Sequence, residues 1–184
     1  MPFSRLKKPL LGALVGVFLM PAAALAESAK EIEANVNAAL TLLYSKNPAA
    51  AALGKEAEGI LVFPHVVKGG LIIGAAHGTG ALRIDGTTEG YYQTSSGSLG
   101  LQAGLESRKE VIMFMTADAL NKFKASKNWQ AGVDGSISVI QTGVAGSANT
   151  KNQTAPIIGY IFGNEGLYGG LNFEGAKISH YTPE

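Results

Sequence analysis

Gly59-Ile60-Leu61-Val62-Phe63-Pro64-His65-Val66-Val67-Lys68-Gly69-Gly70-Leu71-Ile72-Ile73-Gly74 is the stretch on which the reading of the chain turns. It opens with a short, unbroken apolar run rich in β-branched side chains, which suits a strand buried on both faces better than so short a helix. Pro64 has no backbone N–H to donate, so the strand is expected to stop there. From Leu71 to Ile84, alternate residues separate two strand faces. One carries Ile72, Gly74, Ala76, Gly78, Gly80 and Leu82; the other carries Ile73, Ala75, His77, Thr79, Ala81 and Arg83. A row of glycines weakens a strand through backbone entropy and makes sense where a sheet bends or a second backbone comes close. The expected fold class is therefore α+β: a glycine-rich, strongly curved, barrel-like antiparallel sheet with two N-terminal helices and one central helix packed on it.

Upstream, Ser28 and Glu31 form a capping-box pattern ahead of a helical stripe of Ile32, Val36, Leu40 and Leu43. The stripe reads as a helix packed on the sheet. Its polar side, with Lys30, Glu31, Glu33, Asn35 and Asn37, lacks the cationic richness of a membrane-surface helix. Pro48 ends that helix, and Asn47 can cap a second one through Ala49 to Leu53, with Gly54 as its stop. Downstream, Asp85-Gly86 reads as a turn, Tyr91 to Leu105 as a long strand, and Val111 to Met115 as a compact apolar strand. The pattern Gly70-Leu71-x-x-Gly74 recurs as Gly100-Leu101-x-x-Gly104. Thr116 caps a helix from Ala117 to about Ser126, with Leu120 and Phe123 facing inward. The remainder is expected to be β: Val133 to Gln141, Ile157 to Phe162, a turn at Gly163-Asn164, then Leu167 to Ile178. The small, polar segment Gly146 to Pro156 reads as an exposed connection.

A chain of 184 residues with 46% hydrophobic and 16% charged residues has room for one domain with a sizeable core. Cysteine is absent, which rules out disulfides, thiolate metal sites and a cysteine nucleophile together. Arg5, Lys7 and Lys8, then the apolar run Leu10 to Met20, then Ala24-Leu25-Ala26 have the order of a secretory leader and its cleavage site. Residues 1–26 are expected to be removed after Ala26, leaving one domain over 27–184 in the periplasm. The leader holds three of the 15 basic residues and none of the 14 acidic ones, so the remaining chain has 12 against 14, formally −2. Such a chain has no broad field for nucleic acid, and any anion must be held locally.

Catalytic patterns are missing. His65, His77 and His180 lie far apart and none has metal-ligand spacing; there is no G-x-S-x-G elbow, P-loop or dinucleotide fingerprint. Asp134 beside Gly135 reads as a turn residue rather than a catalytic acid. The chain is expected to be neither an enzyme nor a holder of a cofactor or metal. Its clearest electrostatic feature is Lys122, Lys124 and Lys127, on or just after the third helix and close to Trp129, the only tryptophan. Lysines in a last turn ordinarily complement the helix dipole. An indole beside lysines also suits a headgroup boundary. Lys68 and Arg83 form a second basic pair, with His65 and His77 near them in sequence.

Three ordered blocks resemble one known family. Ala57-Glu58-Gly59-Ile60-Leu61-Val62-Phe63-Pro64, continued by Lys68-Gly69-Gly70-Leu71 and Gly78-Thr79-Gly80-Ala81-Leu82, is similar to the opening signature of the SYLF (Ysc84-type) lipid-binding domain. Phe123-Lys124 to Gly132-Val133-Asp134-Gly135-Ser136 resembles its central segment, and Gly159-Tyr160 with Gly166-Leu167-Tyr168-Gly169-Gly170-Leu171-Asn172-Phe173-Glu174-Gly175 its closing one. The resemblance, to an exported bacterial member, implies non-enzymatic binding of anionic phospholipid at a membrane surface. The basic residues Lys68, Arg83, Lys122, Lys124 and Lys127, with Trp129, are the candidate contacts. Some bacterial relatives are lipoproteins, which needs a lipid-bearing cysteine that this chain lacks. Eukaryotic relatives also engage actin. The alternative is accordingly an envelope scaffold that self-associates or binds protein partners through exposed sheet edges.

Overall fold

The structure is a computed structural model and describes residues 27–69, 73–99, 106–140, 154–164, 166–168 and 171–184. Among the described residues three helices, α1 (Ala29–Lys46), α2 (Pro48–Glu56) and α3 (Ala117–Ala125), accompany eight strands. The strands are β1 (Gly59–Gly69), β2 (Ile73–Ile84), β3 (Thr87–Leu99), β4 (Glu106–Phe114), β5 (Asn128–Gln130), β6 (Ser138–Val139), β7 (Ile157–Phe162) and β8 (Lys177–Tyr181). They form one curled sheet, a half-barrel, in the order β5-β8-β3-β2-β1-β4-β7-β6. The α+β class and the curved sheet hold. Every pairing is antiparallel except β6 with β7, so the sheet is mixed.

Pro64 does not end the first strand. Between Val62↔Ala81 and Val67↔His77, β1 advances five residues while β2 advances four. Between Phe63↔Glu110 and Val66↔Arg108 it advances three against two on β4. One extra residue is thus accommodated beside Pro64, as a bulge in the middle of the sheet, where a proline cannot join a regular ladder. The bulge resets the strand's alternation, so that Phe63 and Val66, three apart, are both buried in the inner cluster. It also explains the glycines opposite. A Cβ on Gly78 would lie 2.5 Å from the His65 carbonyl oxygen, and one on Gly80 would run into the Val62 carbonyl. Close backbone approach, rather than bending alone, demands glycine at these two positions.

The sheet buries two separate clusters. On the concave face Leu61, Phe63, Leu82, Ile112 and Phe114 pack with Leu120 and Phe123 of α3. On the convex face Val62, Ala81, Val111 and Met113 pack under Ile32, Val36, Ala39 and Leu43 of α1. Leu40 of the expected stripe is only partly buried, and Ala39 takes the central place. The capping box at Ser28 and Glu31 is formed, and the Ser28 hydroxyl and backbone N–H both donate to the Glu31 carboxylate, holding its pKa below the usual range. Gly54 does not stop α2, which continues to Glu56. The end of the Tyr44 side chain of α1 lies against it.

Other boundaries shift. β4 begins earlier than Val111, and Val133, expected in a strand, stands 73% exposed in the turn Ala131–Gly135. Only Ser138–Val139 of that expected strand is β, and Gln141 lies outside the described residues. Between Leu167 and Ile178 the described chain makes one bridge at Leu167 and a turn at Asn172–Gly175 before β8 begins. Most of the repeated Gly-Leu-x-x-Gly pattern and of the 146–156 segment lies outside the described residues.

Residues 131–137 link the two outermost strands, β5 and β6, across the open side of the half-barrel. The link is held by Gly132 N–H to the Gly135 carbonyl, 2.9 Å, and by Ala131 N–H to the Ala176 carbonyl, 2.9 Å. Gly135 lies so close to Trp129 and Ile157 that a Cβ there would sit 2.8 Å from the indole.

Candidate functional site

α3 sits where the concave face opens. The Thr116 hydroxyl accepts from the Ala119 N–H at 3.3 Å to start the helix, and Leu120 and Phe123 anchor its inner side. Beneath it, Phe123 meets Tyr92, Phe114 and Trp129 at ring-centroid distances of 5.1, 4.8 and 5.8 Å. Aromatic contacts at such separations fix geometry as well as bury area. Lys122 and Lys124 flank Phe123 on the two sides of α3, and Lys127 follows at the exit; all three are exposed. Lys122 pairs with Asp118 at 2.8 Å, one helical turn away, with both side chains mostly in solvent. Lys124 reaches Glu89 of β3 at 2.6 Å. Surface pairs of this kind contribute roughly 0–1 kcal/mol, so the ammonium groups remain available to an incoming anion. Lys177 on β8, opposite Gln130 in register, is also exposed, on the strand face turned away from Trp129 and Ile178.

Trp129 is not at this surface. It is 2% exposed, with its ring inside the aromatic cluster, so a headgroup contact by the indole is corrected to a structural role under the lysines. The reason is the alternation of β5, which turns Trp129 inward and leaves Asn128 outside.

Arg83 is engaged on the convex face. Its guanidinium donates to Glu33 at 2.5 Å, to Asn37 Oδ1 at 2.9 Å and to the Gly86 carbonyl at 2.9 Å, while Nε is buried without a partner among the described residues. Glu33 also accepts from Thr88 and Tyr91. Arg83 therefore ties α1 to the β2–β3 hairpin. Lys68 lies at the far end of β1: the register places Arg83 opposite Ile60 and Lys68 opposite Ala76. Eight residues of strand separate those points, about 26 Å. The two do not form one site. His65 and His77 are exposed near Lys68, and His180 stacks on Tyr92 at 4.6 Å. Among the described residues no group of three or more His, Asp or Glu is placed to hold a metal ion.

Two features escaped the sequence. Arg108 and Glu110, two apart on β4, form a buried ion pair of 2.7 Å on the concave face. Burial raises the Glu110 carboxyl pKa, and the nearby guanidinium only partly opposes this. The alternation of β4 could have suggested it, since both residues share a face with Ile112. The second feature is a groove beside the α1–α2 junction, where Lys46 and Lys109 both donate to Asn164. These lysines are 63 positions apart in the sequence, and only the fold unites them.

Residues 95–184 match the family model described as Ysc84: Las17-binding protein actin regulator. That segment is a Ysc84 (SYLF) domain. The match opens within β3, and β1 and β2, which lie in the middle of the same sheet, are upstream of it. No curated protein matches the chain. The Ysc84 family is one of binding domains, so binding is the general function that the assignment carries. Among the described residues no helix is long and apolar enough to cross a membrane.

Proposed function

We propose that the protein binds anionic phospholipid headgroups at the periplasmic membrane surface, without catalysis, after removal of residues 1–26. The observation that carries this is the exposed group of Lys122 and Lys124 on α3 and Lys127 just beyond its end, on a helix locked into the core by Phe123. Cations carried on a core-anchored helix meet an anionic surface without first ordering a long loop. Each lysine near such a surface contributes on the order of 1 kcal/mol, so three support weak, salt-sensitive association. Lys68 stands apart as a second, separate contact, and Arg83, paired with Glu33, holds α1 on the β2–β3 hairpin rather than touching lipid. Vesicle co-sedimentation tests this directly. The protein should pellet with anionic vesicles at low salt and be released by high salt, and Lys122→Glu with Lys124→Glu and Lys127→Glu should abolish pelleting. No pelleting with any vesicle would end the proposal.

The alternative, a scaffold acting through sheet edges, finds its support at one place. β8 pairs with β3 only as far as Ser95, so among the described residues Ser96–Leu99 lacks a neighbour on that side. Elsewhere the edges are blunted: β5 and β6 are three and two residues long, and the glycine-rich β2 is internal. Light scattering separates the readings, because self-association through β3 requires a mass above the monomer.

A further inference from the structure

The groove at the α1–α2 junction has a shape and charge that specify a ligand. Leu43 and Phe162, each 2% exposed, form its floor, and Leu42, Gly166 and Leu167 form its walls. Its volume is about 350 Å³. At roughly 30 Å³ per water-sized group, that holds on the order of ten methylene-sized units.

The walls are set by local structure. Asn47 closes α1 through its backbone N–H to the Leu43 carbonyl, 2.8 Å, and starts α2 through its side chain, which accepts from Ala50 at 3.0 Å. The end of one helix dipole and the start of another meet there and offset each other. Across the groove, Gly163 N–H bonds the Gly166 carbonyl at 2.8 Å and Tyr168 N–H bonds the Ile161 carbonyl at 2.8 Å, which pins Leu167 in place. Gly166, at φ +140°, takes a backbone conformation that other residues seldom reach.

The rim is cationic. The Lys46 ammonium donates to the Asn164 carbonyl oxygen, and the Lys109 ammonium donates to its side-chain oxygen at 3.1 Å. Neither lysine pairs with a carboxylate among the described residues; Glu165, next in sequence to Asn164, lies outside them. Lys46 thus lines the apolar trough, and Lys109, opposite Phe162 in register, shares its neutral anchor Asn164.

We infer that this groove binds a single alkyl chain bearing an anionic head, with the chain along Leu43 and Phe162 and the head at Lys46 and Lys109. The inference rests on the lipid-binding reading and adds a site distinct from the α3 surface. The same chemistry is presented by a free fatty acid and by one chain of a bilayer phospholipid.

The test is titration of the purified protein with hexanoate, octanoate and decanoate below their micellar concentrations. Affinity should rise about fourfold per methylene until the groove is full and then level off. Lys46→Gln with Lys109→Gln should weaken decanoate about tenfold, the scale of two partly exposed charges. Leu42→Trp, which fills the trough, should abolish binding. Affinity indifferent to chain length, or unchanged in both variants, would overturn the inference. Amide chemical shifts in the unsubstituted protein provide a readout independent of variant folding: changes centred on Leu43, Asn47 and Leu167 support the groove, and changes centred elsewhere overturn it. Vesicles separate this from the parent reading. Carboxylate binding without vesicle pelleting keeps the groove and removes surface docking. Pelleting of the unsubstituted protein that binds none of the three carboxylates keeps surface docking and removes the groove.

Discussion

The two faces of the sheet are held by different physics. On the concave face the decisive contacts are steric: glycine against carbonyl at Gly80, and Phe123 between Phe114 and Trp129. On the convex face α1 is positioned by an apolar stripe together with polar ties. Glu33 gathers Arg83, Thr88 and Tyr91, and Glu27 accepts from Thr79 at 2.5 Å and Asn35 at 2.8 Å. Close-packed backbone cannot relax around an added methyl, whereas a solvated polar tie can be replaced in part by water. The concave face should therefore be the intolerant one.

The sharpest way to break this contrast is Gly80→Val. The new side chain meets β1 backbone rather than a mobile side chain, so a loss of about 4 kcal/mol or more is expected, enough to unfold a marginally stable domain. Gly97→Ala on the next strand is the control: nothing lies within 4 Å of its Cβ position, and the change in urea midpoint should correspond to less than about 0.5 kcal/mol. Equal effects from the two glycines would refute the steric account. Glu33→Ala comes second. It leaves Arg83, only 14% exposed, without its carboxylate, and partial exposure of Glu33 limits the expected loss to about 1–3 kcal/mol. Hydrogen exchange should rise in α1 while α3 stays protected.

The smallest effect concerns the Arg108–Glu110 ion pair on the concave face. Glu110 titrates above its ordinary 4.5 in the folded protein because it is desolvated. Folding therefore favours its protonated form, so its contribution is complete below the unfolded value and is lost as pH rises through the folded one. The stability of the natural protein minus that of Glu110→Gln should accordingly fall as pH rises from the unfolded carboxyl value through the raised folded one. A difference that grows with pH would mean that Arg108 outweighs burial.

What could be read from the chain follows from the range of the interaction concerned. Caps are local, and Ser28, Asn47 and Thr116 all act as their neighbours in sequence indicate. Strand alternation is nearly as local, and it separated Gly78 and Gly80 from Thr79 and Ala81 correctly. Pro64 was misread because a proline's effect depends on whether a bulge absorbs it, and that is decided by partners on β2 and β4. Trp129 was misread because three residues of strand do not disclose which side faces the core. The meeting of Lys46 and Lys109 at Asn164 left no local trace at all.

The short segment between β5 and β6 has a mechanical consequence. Because it fastens the first and last staves of the half-barrel to each other, the sheet cannot unroll from either rim alone. A single peptide-bond cut at the exposed Val133 would undo the clasp while leaving every rung of the ladder in place.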